Sequence, residues 1–215
     1  MTLTQNVLQK EHVAMAFGTP ISSYLWADSD TINAELKNVI LQKEKVDQGL
    51  IKSNVGGWHS KSGLFLWEAD CVRKLQGRVS STALDLTRLV TVSDGPRKMH
   101  LQLDCWANVS RRGDYNSLHD HPGATWSGVY YVSCGEPDIN IPTNGKLEFI
   151  DPRVGVNVPP LDQGVLGGRY LVDPLPGLMV MFPGWLKHMV HPFFGSGERI
   201  SISFNAYVQI QQQTK

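Results

Sequence analysis

Two short segments hold four of the chain's seven histidines: His119 with His121, and His188 with His191. In an extended segment, residues i and i+2 point to the same side. His119 and His121 can therefore converge on one point while Asp120 points away. Two imidazoles so placed suit a transition metal, although HxH by itself is better explained as a surface or core pair. His188 shifts the balance. It follows an apolar strand and a Pro-Gly turn in PGLMVMFPGWLKHMVHP, about 70 residues after His119. A histidine pair after one strand and a single histidine after a distant one is the spacing of a facial metal triad. Arg199 opens the last alternating segment, eleven residues after His188, and Ser201 shares its face at i+2. A guanidinium forks onto a carboxylate, and a serine hydroxyl adds one bond. A metal triad followed by Arg-x-Ser describes a site for a dicarboxylate that also chelates the metal. 2-Oxoglutarate has that shape. His191, at i+3 from His188 and just before Pro192, is expected to face elsewhere.

The elements that must position these residues change character along the chain. Residues 30 to 45 place Ile32, Leu36, Val39 and Ile40 at helical spacing, with Asp28, Ser29 and Asp30 as N-cap candidates. Residues 68 to 90 repeat the pattern with Val72, Leu75, Val79, Leu86 and Leu89, weakened by Gly77. Between them, SNVGGWHSKSGLFLW reads as a loop and a short strand. Its alternative reading is a loop folded over a pocket with His59 at the edge. From residue 99 the period becomes two. In MHLQLDCWANV, Met99, Leu101, Leu103, Cys105, Ala107 and Val109 share one face, and His100, Gln102, Asp104, Trp106 and Asn108 the other. SRRGDYN is a turn. Residues 125 to 132, 146 to 150 and 178 to 182 read as strands. In 199 to 208, Ile200, Ile202, Phe204, Ala206 and Val208 oppose Arg199, Ser201, Ser203, Asn205 and Tyr207. Residues 152 to 169 read as a long loop. Strands with Gly/Pro-rich connections predict an antiparallel sandwich or jelly roll, buttressed on one sheet by the two helices.

A chain of 215 residues and 23.9 kDa suits one domain, 1–215, with helical support to about 90 and a jelly-roll core from about 91 to 210. Lys plus Arg number 20 and Asp plus Glu number 20, so the net charge is zero. That excludes a polyanion-coating protein, and nucleic acid is not an expected partner. Leu178 to Phe182 is far too short to span a bilayer, and the N-terminal residues lack a basic region followed by a long apolar run. No membrane partner is expected. Cys71, Cys105 and Cys134 have wide, unpatterned spacing, which predicts buried small hydrophobes in a reduced, cytoplasmic protein. Jelly-roll edge strands make a homodimer plausible.

HDHPGATWSGVYYV, GKLEFIDPR, FPGWLKHMVHP and ERISISFN, with SNVGGWHS upstream, together resemble the 2OG-Fe(II) oxygenase family of small bacterial and phage proteins. The resemblance spans roughly residues 50 to 208. It implies a mainly β chain with flanking helices: the double-stranded β-helix, a cupin-like jelly roll shared with prolyl hydroxylases. It implies Fe(II), 2-oxoglutarate and O2, with release of succinate and CO2 and hydroxylation of an unidentified substrate, a small molecule or a peptidyl residue. By position, His119 and His188 match the two histidine ligands, Arg199 the 2-oxoglutarate anchor and Ser201 the serine of the Arg-x-Ser pair. Tyr131 resembles a position whose hydroxyl helps hold the cosubstrate, and Asn108 is a further candidate. The wider superfamily places a carboxylate where His121 stands, although histidine is usual in this family, so His121 is kept as the third ligand. Three neutral imidazoles leave the dication uncompensated until the 2-oxoglutarate dianion arrives. For Trp126 and Trp185 core packing is the favoured assignment, and the entrance, shared with the Gly56-Gly57 loop, is the alternative. His12 and His100 have no assigned role.

Two rivals remain at this level. A cupin-type metalloenzyme without 2-oxoglutarate shares HxH, and Gly177, Pro183 and His188 resemble the second cupin motif. It lacks the glutamate expected soon after HxH and leaves Arg199 and Ser201 without purpose. A non-catalytic jelly-roll binding protein would keep the pocket and take up no metal.

Overall fold

The computed structural model describes residues 18–91, 98–153 and 168–211. His12 and most of the segment read as a long loop lie outside these residues. The chain runs β1 (Ser22–Leu25), α1 (Asp30–Glu44), β2 (Asn54–Val55), β3 (Trp58–His59), a 3-10 turn at Leu64–Leu66, and α2 (Asp70–Val90). The strands β4 (Met99–Ser110), β5 (Tyr115–His119), β6 (Trp126–Pro137), β7 (Leu147–Ile150), β8 (Arg169–Val172), β9 (Leu178–Pro183), β10 (His188–Val190) and β11 (Gly195–Ile210) follow. Both predicted helices and the five strands predicted from residue 99 onward are present. β1, β5, β8 and β10 are additions, and Tyr115 and Asn116, read as part of a turn, already belong to β5.

The strands form two sheets. One has six strands in the order β1-β9-β6-β11-β4-β3, and the other five in the order β2-β5-β10-β7-β8. All pairings between strands are antiparallel. This is a double-stranded β-helix with the helices on one side. Alternation along the central strands explains the layering. Cys105, Ala107 and Val109 of β4 and Ile200, Ile202, Phe204 and Ala206 of β11 pack with Ile32, Leu36 and Ile40 of α1 and Val72, Leu75 and Val79 of α2. The opposite faces of β6 and β9, through Val129, Tyr131, Val180 and Phe182, pack with Leu147 and Phe149 of β7 in a second core between the sheets. Leu89, placed on the α2 stripe by its spacing, is 84% exposed.

The segment with Gly56-Gly57 closes the open edge of this sandwich. β2 pairs with β5 of the small sheet, and β3 pairs with β4 of the large one. Two residues must carry the chain across, and both take positive φ, 68° and 64°. A Cβ on Gly56 would run into the Asp114 carboxylate, and one on Gly57 would meet the Val109 carbonyl at 2.8 Å. Only glycine fits both demands.

Candidate active site

The cleft lies between the sheets, where the polar faces of β4 and β11 meet β5 and β10. His119 ends β5, and His188 begins β10 as its direct cross-strand partner. His121 sits in the turn after β5, where its backbone N–H donates to the Gly184 carbonyl at 2.8 Å. That bond ties the HxH turn to the Pro-Gly turn before β10. The result brings the three imidazoles together, with one ligand atom from each lying within 4.8 Å of the others. Asp120 is not part of the cluster.

Two of the rings are oriented by the backbone. His119 Nδ1–H donates to the Ser117 carbonyl at 2.6 Å, and His188 Nδ1–H to the Leu186 carbonyl at 2.8 Å. Each bond leaves an Nε2 lone pair for a metal, the usual outer arrangement of a metal-binding histidine. His119 Nε2 also has the Ser53 hydroxyl at 3.4 Å. Burial pushes the His119 pKa below its ordinary value. Burial, reinforced by His119, lowers His121 to about 4 and His188 to about 3. All three are neutral at neutral pH and able to donate to a cation.

The sign of the resulting pH dependence is fixed. Below the ordinary histidine pKa of about 6.5, an unfolded chain takes up protons that the folded site refuses. Metal-free protein therefore loses stability as the pH falls from about 6.5 toward 4. Urea midpoints at about pH 7 and pH 5 check this: the drop should shrink in a His188→Gln variant. An equal drop in both proteins would contradict it.

Behind the cluster lies a second polar group. Arg199 is 2% exposed, and its Nε donates to the Gly145 carbonyl at 3.2 Å. Its Nη2 is buried without a partner, and no carboxylate pairs with it among the described residues. The guanidinium lies over the Tyr131 ring, 5.3 Å from its centroid, and the Tyr131 hydroxyl is likewise buried and unpartnered. Burial pushes that hydroxyl up to about 12, with Arg199 pulling the other way, so it is a neutral donor. Ser201 stands opposite both Asn108 on β4 and Tyr131 on β6. Asn108 donates Nδ2–H to the Ser203 hydroxyl at 3.0 Å, and its Oδ1 is unpartnered. Unpaired buried donors and an unpaired buried cation are costly. Two such donors converging on one spot fit a carboxylate.

Cleft and cluster form one continuous pocket. Its lining includes all seven residues singled out by the sequence: Asn108, His119, His121, Tyr131, His188, Arg199 and Ser201. Sequence reasoning missed Ser53 and Asn116, which also line it. Trp106 and Ser203 line it too, and their positions on the polar faces of β4 and β11 were the available signal.

Other residues take these places. Trp126 has its favoured core position and not the entrance. It is 4% exposed in the core beneath the helices, and its Nε1–H donates to the Thr87 hydroxyl at 2.8 Å. Trp185 is 52% exposed and does not line the cleft. Gly56-Gly57 closes the sandwich edge without lining the cleft. His59 is buried behind Trp106, with ring centroids 5.5 Å apart. His191 faces away, as its spacing predicts: its Nε2 lies 2.5 Å from the Glu148 carboxylate, which Arg169 also pairs at 3.1 Å. The three cysteines are free. Among the described residues, no helix is long and apolar enough to cross a membrane.

With this geometry in place, comparison with known proteins is direct. Residues 104–205 match the family described as "Putative 2OG-Fe(II) oxygenase". No curated protein matches the sequence. Among solved structures, a Pseudomonas putida prolyl-4-hydroxylase superposes with a TM-score of 0.60 at 14% identity, covering 90% of this chain and 93% of that one. A prolyl hydroxylase from Trichoplax adhaerens, solved with a hypoxia inducible factor peptide, gives 0.61 at 13% identity, covering 87% and 83%. SnoK, an alpha-ketoglutarate-dependent carbocyclase from nogalamycin biosynthesis, gives 0.59 at 14% identity, covering 93% and 83%. At these identities the three share the fold.

Proposed function

We propose that this chain is a 2OG-Fe(II) oxygenase, a reading supported by the family match over residues 104–205, and that its residues divide the work as follows. The protein is a 2-oxoglutarate- and Fe(II)-dependent oxygenase that uses O2 and an organic substrate. In our reading, His119, His121 and His188 hold the metal, and Arg199, Ser201, Tyr131 and Asn108 hold the cosubstrate. Once bound, Fe(II) and 2-oxoglutarate supply oxidative decarboxylation to succinate and CO2, coupled to oxidation of the substrate by O2.

The observation that carries this reading is the pairing of two incomplete sites in one cleft. One is a cluster of three neutral imidazoles whose ligand atoms lie close enough together to hold a cation. The other is a buried guanidinium that lacks an anion. A ligand with a chelating end and a distal carboxylate completes both. Arg199 and the Tyr131 hydroxyl donate to the distal carboxylate, with Ser201 between them. Asn108 joins with its amide turned end for end, Nδ2 toward the carboxylate and Oδ1 toward the Ser203 hydroxyl. Val129, Leu147 and Phe182 wall the cleft and keep water from the guanidinium, which strengthens its hold on an anion. Because all three metal-binding groups are neutral, the cosubstrate's charge compensates the dication, so each should bind more tightly with the other present.

A cupin-type enzyme without 2-oxoglutarate would leave the Arg199 guanidinium buried and unpaired. The prime substrate is a small molecule or a peptidyl residue, delivered to the rim beside Ser53, Asn116 and Trp106. We read the whole chain as one domain acting in the cytoplasm, in keeping with its free cysteines. Aerobic incubation with Fe(II) and 2-oxoglutarate should release succinate slowly even without a prime substrate. Omitting Fe(II) should stop it. Succinate release that persists without Fe(II), or an absence of release even when candidate substrates are supplied, would count against the reading.

A further inference from the structure

The three imidazoles assigned to the metal are not held alike. His119 and His188 each donate Nδ1–H to a backbone carbonyl, at 2.6 and 2.8 Å. Among the described residues, no group hydrogen-bonds the His121 ring, although that ring is the member of the HxH pair lying beyond the end of β5. Its plane is set by flat neighbours instead. His188 stacks on one side at 5.2 Å between centroids and an interplanar angle of 15°. Trp106 lies at 5.8 Å and 31°.

Trp106 is itself backed. His59 stacks on it at 5.5 Å and 12°. His59 is 7% exposed, and its Nδ1 lies 2.7 Å from the Ser60 carbonyl. Its strand β3 pairs with β4, and His59 stands opposite Asn108, two residues from Trp106. The Ser60 hydroxyl then accepts the Ala107 N–H at 2.9 Å, fixing that crossing against the strand that carries Trp106. A chain of rings therefore runs from a buried anchor, through the indole, to the His121 imidazole.

We infer that Trp106, backed by His59, is the positioning residue for His121: packing against the tilted indole gives this imidazole the orientation that a carbonyl gives the other two. The inference rests on the reading of His121 as a metal ligand. This packing sets the ring plane but gives neither ring nitrogen a hydrogen-bond partner among the described residues, so the tautomer is free until a metal takes one of them. Outer-shell partners of metal-bound histidines are commonly worth about 10–100-fold in metal affinity. Trp106 lines the cleft, whereas His59 acts only from behind it.

The test is Co(II) titration of the metal-free full chain, followed by calorimetry and tryptophan emission. Trp106→Ala should weaken Co(II) binding about 10-fold, and His59→Ala by less. Trp106→Phe keeps a flat ring and should retain most of the affinity, while losing part of the Co(II)-induced emission change. Melting temperatures of the two Trp106 variants separate positioning from a general loss of fold. Equal Co(II) affinity in wild type and Trp106→Ala would overturn the inference, as would a Trp106→Phe variant as weak as Trp106→Ala. His121→Ala distinguishes the premise. If it binds Co(II) like wild type, the ligand reading fails and takes the inference with it. If it binds far more weakly while Trp106→Ala does not, the inference alone fails.

Discussion

Replacing His188 with alanine should weaken Fe(II) binding by at least about 100-fold, the upper end of what outer-shell partners cost, and stop succinate formation. His188 is 5% exposed and pairs across the strands with both His119 and Phe149. It is the one fully buried imidazole of the cluster, with Phe182 packed edge-on at 4.7 Å. Without it, two rim imidazoles face a small apolar gap, and two ligands do not hold Fe(II) against water. The lost bond to the Leu186 carbonyl costs only about 1 kcal/mol of stability, so the variant should still fold. His191→Ala is the matched control. It removes a histidine three residues away that pairs with Glu148 outside the cluster, and metal binding should be unchanged. Metal titration of the three proteins checks both expectations.

Replacing Arg199 with methionine should weaken 2-oxoglutarate at least about 100-fold, since losing one partner of a buried ion pair commonly costs about 3–5 kcal/mol. The same substitution removes a buried guanidinium whose Nη2 has no partner in the ligand-free protein. Burying an apolar chain there is not a comparable loss, so thermal stability without 2-oxoglutarate should change little. The signature is a split. Fe(II) affinity measured without cosubstrate stays near wild type, because Arg199 is outside the metal cluster. The rise in melting temperature on adding 2-oxoglutarate disappears. Arg199→Lys should fall between, because it keeps the charge and loses the fork. An unchanged KM for 2-oxoglutarate in Arg199→Met would remove the anchor from the account.

Much of this is legible in the sequence because the site is written in period two. The polar faces of β4 and β11 alternate cleanly against apolar ones, so alternation alone places Asn108 on the polar face of one strand and Arg199 with Ser201 on that of the other. β5 is hidden for the opposite reason. Its residues YNSLH carry no apolar alternation, and they pair through their backbone with β2 and β10. β10 has only three residues, too few for a pattern. Trp126 has two readings in the sequence, core or entrance, because the start of β6 is buried on both faces. Periodicity separates the two faces of such a strand without saying which one meets the helices and which the cleft. Ser53 reaches the cleft only because the Gly56-Gly57 crossing draws β2 onto β5, a tertiary pairing that local sequence does not encode.

The account stands most directly on one spectrum. Metal-free protein is mixed anaerobically with Fe(II) and 2-oxoglutarate, and the visible region is recorded for the metal-to-ligand charge-transfer band of a chelated 2-oxo acid. Wild type should show the band, Arg199→Met should need far more 2-oxoglutarate to reach it, and His188→Ala should lack it. No band in the wild type, or an undiminished band in His188→Ala, would contradict the assignment of the metal to His119, His121 and His188.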